Sequence, residues 1–383
     1  MRSDYLVYGE PVIGEDEVAA VENVMRSGWL GTGPKVFEFE KTFAEYKQTE
    51  HAVAVNSCTA ALHLSMLASG VGPGDEVITT AMTFCASVNA IIHSGATPVL
   101  VDVNPTTQNI EALSIAQAIT PRTKAILLVH YAGRPCDLDS LVSLAEKHNL
   151  KLIEDCAHAV EATYKGRPVG TFGDFGCFSF YVTKNLTTVE GGMVISKLEK
   201  DAARIKILAL HGMSRDAWRR YSDQGYRHYK VCEVGFKYNM TDLVAAIGIH
   251  QLRDIEKNWK KRSQLWTRYR DEMSSFPIGL PPLPEPDTRH AFHLFTIRID
   301  PGQCGISRDS MMDALNKRNI GVGVHYLSIP EHPAYQQLFN WKPAEYPNAY
   351  RYGQETMSLP LSPRLTERDV DDVVSAIASS IGS

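Results

Sequence analysis

HAVAVNSCTAALHLSMLASGVGPGDEVITT, residues 51–80, reads as a short apolar strand, a helix of small and apolar residues, a Gly/Pro turn and a second short apolar strand. Strands that are apolar throughout, not alternating, belong in a sheet covered on both faces. The same alternation continues outward: CASVNAIIHSG (85–95) is a helix, TPVLVDV (97–103) a strand, KAILLVHY (124–131) a strand, LDSLVSLAEKHN (138–149) a helix and LKLIED (150–155) a strand. Repeated βαβ units predict an α/β fold with a mostly parallel central sheet. On the N-terminal side, Glu15 to Arg26 reads as an amphipathic helix with Val18, Val21 and Met25 on one face and Gly28 just past its end. Val36, Phe39, Phe43 and Tyr46 mark a second helix.

The pattern changes near residue 245. Residues 245–275 read as one long helix, followed by a Pro-rich stretch from Pro277 to Pro286. HAFHLFTIRI (290–299) then reads as a strand, SRDSMMDALNKRN (307–319) as a helix, GVGVHY (321–326) as a strand and ERDVDDVVSAIASSI (367–381) as a closing helix. The expected organisation is a large α/β domain over 1–250 and a smaller C-terminal α+β domain over 251–383, joined by the long helix.

Composition narrows the function classes. The 383 residues carry 39 Lys and Arg against 44 Asp and Glu, a net charge of -5, which does not suit nucleic-acid binding as the main task. No apolar run reaches membrane-spanning length. The opening MRSDYLVYGEPVIGEDE has no apolar targeting core, so a cytoplasmic location is expected. The seven cysteines, Cys58, Cys85, Cys136, Cys156, Cys177, Cys232 and Cys304, form no C-x-x-C pair and read as reduced thiols, not as zinc ligands. No metal is expected. His290 and His293 invite a metal reading, but odd spacing on a strand puts them on opposite faces.

In an open parallel sheet, ligands bind at the carboxyl ends of the strands. After HAVAV come Asn56, Ser57, Cys58, Thr59 and Ala60, opening a helix; this is an anion site or an ordinary helix cap. After LKLIE come Asp155 and, three residues on, His158. A carboxylate ending a buried strand needs a cation or donors, such as a protonated pyridine nitrogen; a capping Asp with a packed His is the plainer alternative. GDFGCFSFYVTKNLTTVEGGMVIS (173–196) places Ser179 and then Lys184 after another apolar run. Burial there would lower the lysine's pKa and favour a Schiff base, whereas a lysine reaching to solvent would do nothing. Neither G-x-G-x-x-G nor a P-loop occurs. An anion cradle, a carboxylate and a lysine in this chain order are the parts that hold pyridoxal phosphate, and Phe84 offers a flat apolar face for its ring.

With these pieces in place the sequence resembles the DegT-type (DegT/DnrJ) sugar aminotransferases, pyridoxal-phosphate enzymes of fold type I, over nearly its whole length. The motifs that carry the resemblance are GTGPKVFEFEKTFAEY, NSCTAALHLSM, GDEVITTAMTFCASVNAI, GATPVLVDV, VHYAGRPCDLD, IEDCAHA, FGCFSFYVTKNLTTVEGGMV, GFKYNMTDLVAAIGIHQL and GVGVHY. The resemblance implies Lys184 as the Schiff-base lysine and proton shuttle, Asp155 as partner of the pyridine nitrogen and His158 near the ring hydroxyl. It implies that Ser57, Thr59, Ala60 and Ser179 hold the phosphate, that Phe84 stacks on the ring and that Asn239 reaches the phosphate of a neighbouring subunit, so that a homodimer shares its active sites. His325 and Tyr326 would sit near the sugar.

The stretch LHGMSRDAWRRYS (210–222), with GFKYNMTD and GVHY, is similar to the branch that aminates UDP-linked 4-keto-hexoses for surface glycans. Arg215, Arg219 and Arg220 would meet the diphosphate, unless they line a solvated helix face. By the same resemblance the amino donor is L-glutamate, and the cofactor cycles with pyridoxamine phosphate. The alternatives are a dTDP-keto-sugar or keto-cyclitol substrate, or a non-catalytic sugar-nucleotide sensor or scaffold. An intact Lys184 and Asp155 favour the enzyme.

Overall fold

The computed structural model describes residues 2–214 and 229–381. Strands β1 (His51–Val55), β2 (Glu76–Thr80), β3 (Thr97–Val101), β4 (Thr123–Val129) and β5 (Lys151–Asp155) form early in the chain. The pairs β6 (Thr163–Tyr164) and β7 (Arg167–Pro168), then β8 (Phe175–Ser179) and β9 (Gly192–Ser196), follow them. Seven strands make the central sheet, in the order β1-β9-β8-β5-β4-β2-β3. Only β9 runs against its neighbours, pairing antiparallel with β1 and β8; the other pairings are parallel.

Helices α1 (Glu15–Ser27), α2 (Pro34–Tyr46), α3 (Cys58–Ala68), α4 (Cys85–His93), α5 (Ala112–Ala118), α6 (Leu138–Lys147), α7 (Glu199–Ala209) and α8 (Asp242–Arg253) flank the sheet. Side chains alternate across it with period two. Ala52, Ala54, Ile126, Leu128, Met193 and Ile195 pack with α2, α6 and α8, while Val53, Val55, Ala125, Leu127 and Val194 pack with α3, α4 and α7. Both faces are therefore dry, which is why the strands carry no polar alternation.

A second core gathers α9 (Ile255–Glu272), β11 (Phe295–Arg298), α11 (Arg308–Asn316), β12 (Thr356–Leu359) and α14 (Glu367–Ala378), through Leu265, Trp266, Tyr269, Ile297, Met311, Met357 and Val373. Leu6 also belongs to it and bridges Ile320, so the N-terminal segment crosses to this unit. The short elements β10 (Thr288–Arg289), α10 (Pro301–Cys304), α12 (Pro333–Phe339) and α13 (Pro347–Glu355) complete the chain.

Four sequence expectations are corrected. The helix over 245–275 is two helices, broken at Asp254, which has φ -93° and ψ 2°. The break lets Ala245, Leu252 and Ile255 stay with the sheet while Leu265, Trp266 and Tyr269 enter the second core; one straight helix cannot aim a continuous stripe at both. The strand expected over 290–299 is confined to Phe295–Arg298, because Phe292 takes the left-handed region at φ 49°. GVGVHY forms no strand, only a bridge from Gly323 to Ser358. On α1 the buried positions are Glu17 and Val24; Val18 and Met25 are each 55% exposed.

Candidate active site

Because the neighbouring strands run parallel, their carboxyl ends meet on one edge of the sheet. There a cleft of about 270 Å³ is lined by Ser57, Thr59, Phe84, Asp155, His158 and Ser179, with Lys184, His325 and Tyr326. Ser57 caps α3 by accepting the Ala60 N–H at 3.1 Å. The two close on β9 because Gly192 has no side chain: a Cβ there would lie 2.6 Å from the Ser57 carbonyl carbon and oxygen. Ala60 itself is buried, does not line the cleft and spends its amide on that cap.

Asp155 ends β5 and is buried. Burial raises its pKa, opposed by its donors: Ser87 Oγ at 2.8 Å and the Ala157 N–H at 3.1 Å. Such a carboxylate gains most from a cation placed against it. Lys184 lies in the turn after β8, its N–H on the Tyr181 carbonyl. Burial pushes its amine down to about 8, against the opposing pull of the Cys58 thiol and the Asp155 carboxylate. The neutral amine is thus reached within about one pH unit of neutrality, far sooner than in a free lysine, as a Schiff-base or general-base lysine requires.

His158 is buried, and its pKa lies well below the usual histidine value, first from burial and then from Lys184. Its Nδ1 accepts the Ala132 N–H at 3.2 Å. A neutral ring therefore carries its proton on Nε2, which donates to the Tyr326 hydroxyl at 2.9 Å. The Tyr326 O–H proton is left to point elsewhere. His325 stacks on Tyr8 with centroids 5.5 Å apart, meets Ser358 Oγ at 2.8 Å through Nδ1 and is pushed down to about 3 by burial. Phe84, 55% exposed, presents its ring to the cleft 5.7 Å from that of Tyr326.

Asn239 does not line this cleft; its Nδ2 donates to Thr32 Oγ1 at 2.7 Å and its Oδ1 accepts Lys237 Nζ at 2.6 Å. Arg215, Arg219 and Arg220 lie outside the described residues. His290 and His293 do not sit on a strand, so the opposite-face argument fails; both are buried, and His293 packs on His158 with centroids 4.4 Å apart. His130, Glu154 and Cys156 cluster within metal-ligand reach of one another. However, Glu154 already accepts the N–H groups of Gly170, Phe172 and Gly173 at 2.6–2.8 Å and His130 Nε2 at 3.1 Å, while His130 Nδ1 accepts the Cys136 N–H at 3.1 Å. That cluster ties three loops together.

Sequence reasoning missed Ser87, Tyr181, Thr183 and Glu190, which also shape the cleft. Ser87 had a signal: it lies on the helix that Phe84 begins, one turn on, facing the same strand end.

The model of the DegT/DnrJ/EryC1/StrS aminotransferase family matches residues 11–378. The chain belongs to that family. It is 47% identical over 377 residues to the spore coat polysaccharide biosynthesis protein SpsC of Bacillus subtilis, covering 98% of this chain and 97% of that protein. Among solved structures, Spr1654 of Streptococcus pneumoniae, a proposed sugar aminotransferase, superposes with a TM-score of 0.91 at 34% identity, over 98% of this chain and 97% of that one. It has been solved in pyridoxal-phosphate and pyridoxamine-phosphate forms. PseC of Helicobacter pylori, an aminotransferase in pseudoaminic acid biosynthesis, gives a TM-score of 0.90 at 28% identity over 99% of both chains. The chain has the architecture of fold type I aminotransferases, and its cofactor is pyridoxal phosphate. The residues present fit that group: a buried Asp155 that makes no ion pair among the described residues, a helix N-terminus with Ser57 and Thr59, and a lysine with a depressed pKa open onto one cleft.

Proposed function

We propose that this aminotransferase moves the amino group of L-glutamate to a UDP-linked 4-keto-hexose, for the assembly of a surface polysaccharide, in the cytoplasm and as a homodimer. The observation that carries the catalytic reading is Lys184, pushed down to about 8, sharing one cleft with the buried Asp155. The polysaccharide setting is supported by likeness to SpsC. The nucleotide and the keto position rest on the 210–222 stretch.

In this reading Ser57, Thr59 and Ser179 hold the phosphate, Asp155 holds a proton on the pyridine nitrogen, His158 contacts the ring oxygen and Phe84 covers the ring face. Bound pyridoxal phosphate supplies an electron sink that stores the amino group between the two substrates. Lys184 Nζ takes the donor's α-proton and redelivers it. Tyr326, with its oxygen already accepting from His158, has its own O–H proton for the sugar, and His325 stands beside it. No helix among the described residues is long and apolar enough to cross a membrane.

The homodimer is supported by exposed apolar side chains: Val18 and Met25, seven residues apart on α1, and Trp29 just past its end are all at least half exposed. Asn239 would then serve the partner's phosphate.

The test is an absorbance spectrum before and after excess L-glutamate, beside Lys184→Ala. A cofactor band that bleaches in wild type and not in the variant establishes donor and lysine. The keto-sugar that restores the band is the acceptor: a UDP-4-keto-hexose supports the proposal, and a dTDP-keto-sugar or keto-cyclitol replaces it. A band that no amino acid moves would point to a sensor or scaffold.

A further inference from the structure

Beyond the cofactor contacts, one buried acid next to the cleft has no task in the proposed mechanism. Glu161 is 2% exposed and sits in the turn after β5, three residues beyond His158. Both its oxygens accept from Asn185 Nδ2, at 2.9 and 3.0 Å, and Asn185 directly follows Lys184. The same amide nitrogen donates to the Ala291 carbonyl at 2.8 Å. With both N–H groups committed, Asn185 must turn its Oδ1 toward His293, which meets it through Nδ1 at 3.0 Å. His293 therefore carries its proton on Nδ1. Its ring lies against His158, centroids 4.4 Å apart and tilted by 36°.

We propose that Glu161, Asn185 and His293 form a positioning chain that fixes the Lys184 peptide and the His158 ring, so that Glu161 governs the reactivity of Lys184 without touching substrate. The proposal rests on the reading of Lys184 as the reactive amine. Three segments meet in the chain: the turn after β5, the turn after β8 and the 290–294 crossing between the two cores. The crossing is held on its other side by Ala291 N–H to the Gly133 carbonyl at 2.8 Å. There Gly133, at φ 95°, leaves no room for a side chain: a Cβ would lie 2.8 Å from the His158 carbonyl oxygen. Charged and titratable groups that face Glu161 come from further elements: Arg262 of α9, Arg289 of β10, and Tyr46 and Lys47 at the end of α2. Arg262 and Arg289 favour its ionised form against a strong burial cost. An unpaired apolar residue at 161 would spare that cost, so retaining the acid points to the acceptor it supplies.

The experiment uses four variants: Glu161→Leu, Glu161→Gln, Asn185→Asp and the double Glu161→Gln/Asn185→Asp. The first reading is the pH dependence of Lys184 acetylation in cofactor-free protein, quantified by mass spectrometry. The second is kcat and KM of the reconstituted enzyme. Asn185→Asp sets two carboxylates face to face, and Glu161→Leu removes the acceptor. In both, the acetylation midpoint of Lys184, about 8 in wild type, should rise. A rise of one pH unit lowers labelling at pH 7 by about tenfold. Both variants should lower kcat by about 10- to 100-fold while KM stays within about twofold. Glu161→Gln, which keeps one accepting oxygen, should lose less. The double variant restores the contact between positions 161 and 185 with donor and acceptor exchanged, but leaves the Ala291 carbonyl without its donor, so it should recover part of the loss.

Folded single variants with wild-type labelling and kcat would overturn the proposal, and so would a folded double variant no better than Asn185→Asp. Labelling needs neither cofactor nor substrate. It therefore reads the positioning chain even if the aminotransferase reading fails.

Discussion

Ser87 Oγ donates to Asp155 Oδ2 at 2.8 Å, from the first turn of α4 to the last residue of β5. Ser87 is itself 2.8 Å from Thr83 Oγ1, so two hydroxyls stand behind the carboxylate. The Ala157 N–H takes the other oxygen at 3.1 Å. The aspartate is aimed from one side and left open on the cleft side, where a cation belongs. Removing Ser87 tests that aim. A hydrogen bond to a charged group is worth about 1.5–3 kcal/mol. Ser87→Ala should raise the Asp155 pKa further and weaken cofactor retention by about tenfold or more, measured by spectral titration of the apoprotein. Asp155→Asn should be more severe, lowering kcat by at least about a hundredfold.

Lys184 gives a pH signature. Condensation with an aldehyde needs the neutral amine. Cofactor loading of the apoprotein should therefore accelerate as pH rises, with a midpoint near about 8, and level off above it. A stopped-flow series in inert buffers checks this. A midpoint near that of a free lysine, about 10.4, would place the amine in water and not in the cleft.

The same depressed pKa has a stability consequence. Between about 8 and the unfolded value the unfolded chain binds more protons, so this group's contribution to stability rises with pH there. At pH 7 both states are protonated and the full cost of burying the ammonium is present. Lys184→Met in the cofactor-free protein should thus be more stable at pH 7, by on the order of 2 kcal/mol, while being inactive. Urea unfolding at pH 7 and at pH 10 measures it, and the advantage should shrink at the higher pH.

Tyr326→Phe removes the acceptor that His158 Nε2–H uses at 2.9 Å and the hydroxyl that faces the cleft. A buried donor left without a partner costs about 1–3 kcal/mol. Turnover should fall by about tenfold or more, with the cofactor band retained; full turnover would remove Tyr326 from the site.

The proposed sharing of active sites between two subunits makes a complementation prediction. Lys184→Ala and Asn239→Ala homodimers should each be impaired, and mixed dimers should recover activity through the one site that has both residues. Subunit exchange is confirmed by tagging one variant. Val18→Asp with Met25→Asp, on the exposed stripe of α1, should shift the proposed dimer to monomer in sedimentation velocity.

The sheet was legible because period and burial are local properties. Five-residue apolar strands such as HAVAV and EVITT, spaced by helices, admit few arrangements, and parallel pairing brings their ends to one edge. That placed Ser57, Asp155, Ser179 and Lys184 in one cleft from sequence order alone. The helix over 245–275 was misread because composition is continuous through Asp254 and nothing local shows that its two halves bury against different cores. Val18 and Met25 were misread for a related reason: an apolar stripe announces burial, and in one chain this stripe stays uncovered.

The amino-acid sequence by itself determined the α/β class, the strand-end lysine and aspartate, and the family, since each depends on residues near one another in the chain or on their order. Only the tertiary structure decided which atoms meet: Ser87 behind Asp155, Tyr326 on His158, and Glu161 holding Asn185 behind Lys184. These pairs join residues from 24 to 168 positions apart. Hydrogen bonding acts over about 3 Å, and no periodicity in a chain encodes which distant atoms the packing of two cores will bring within it.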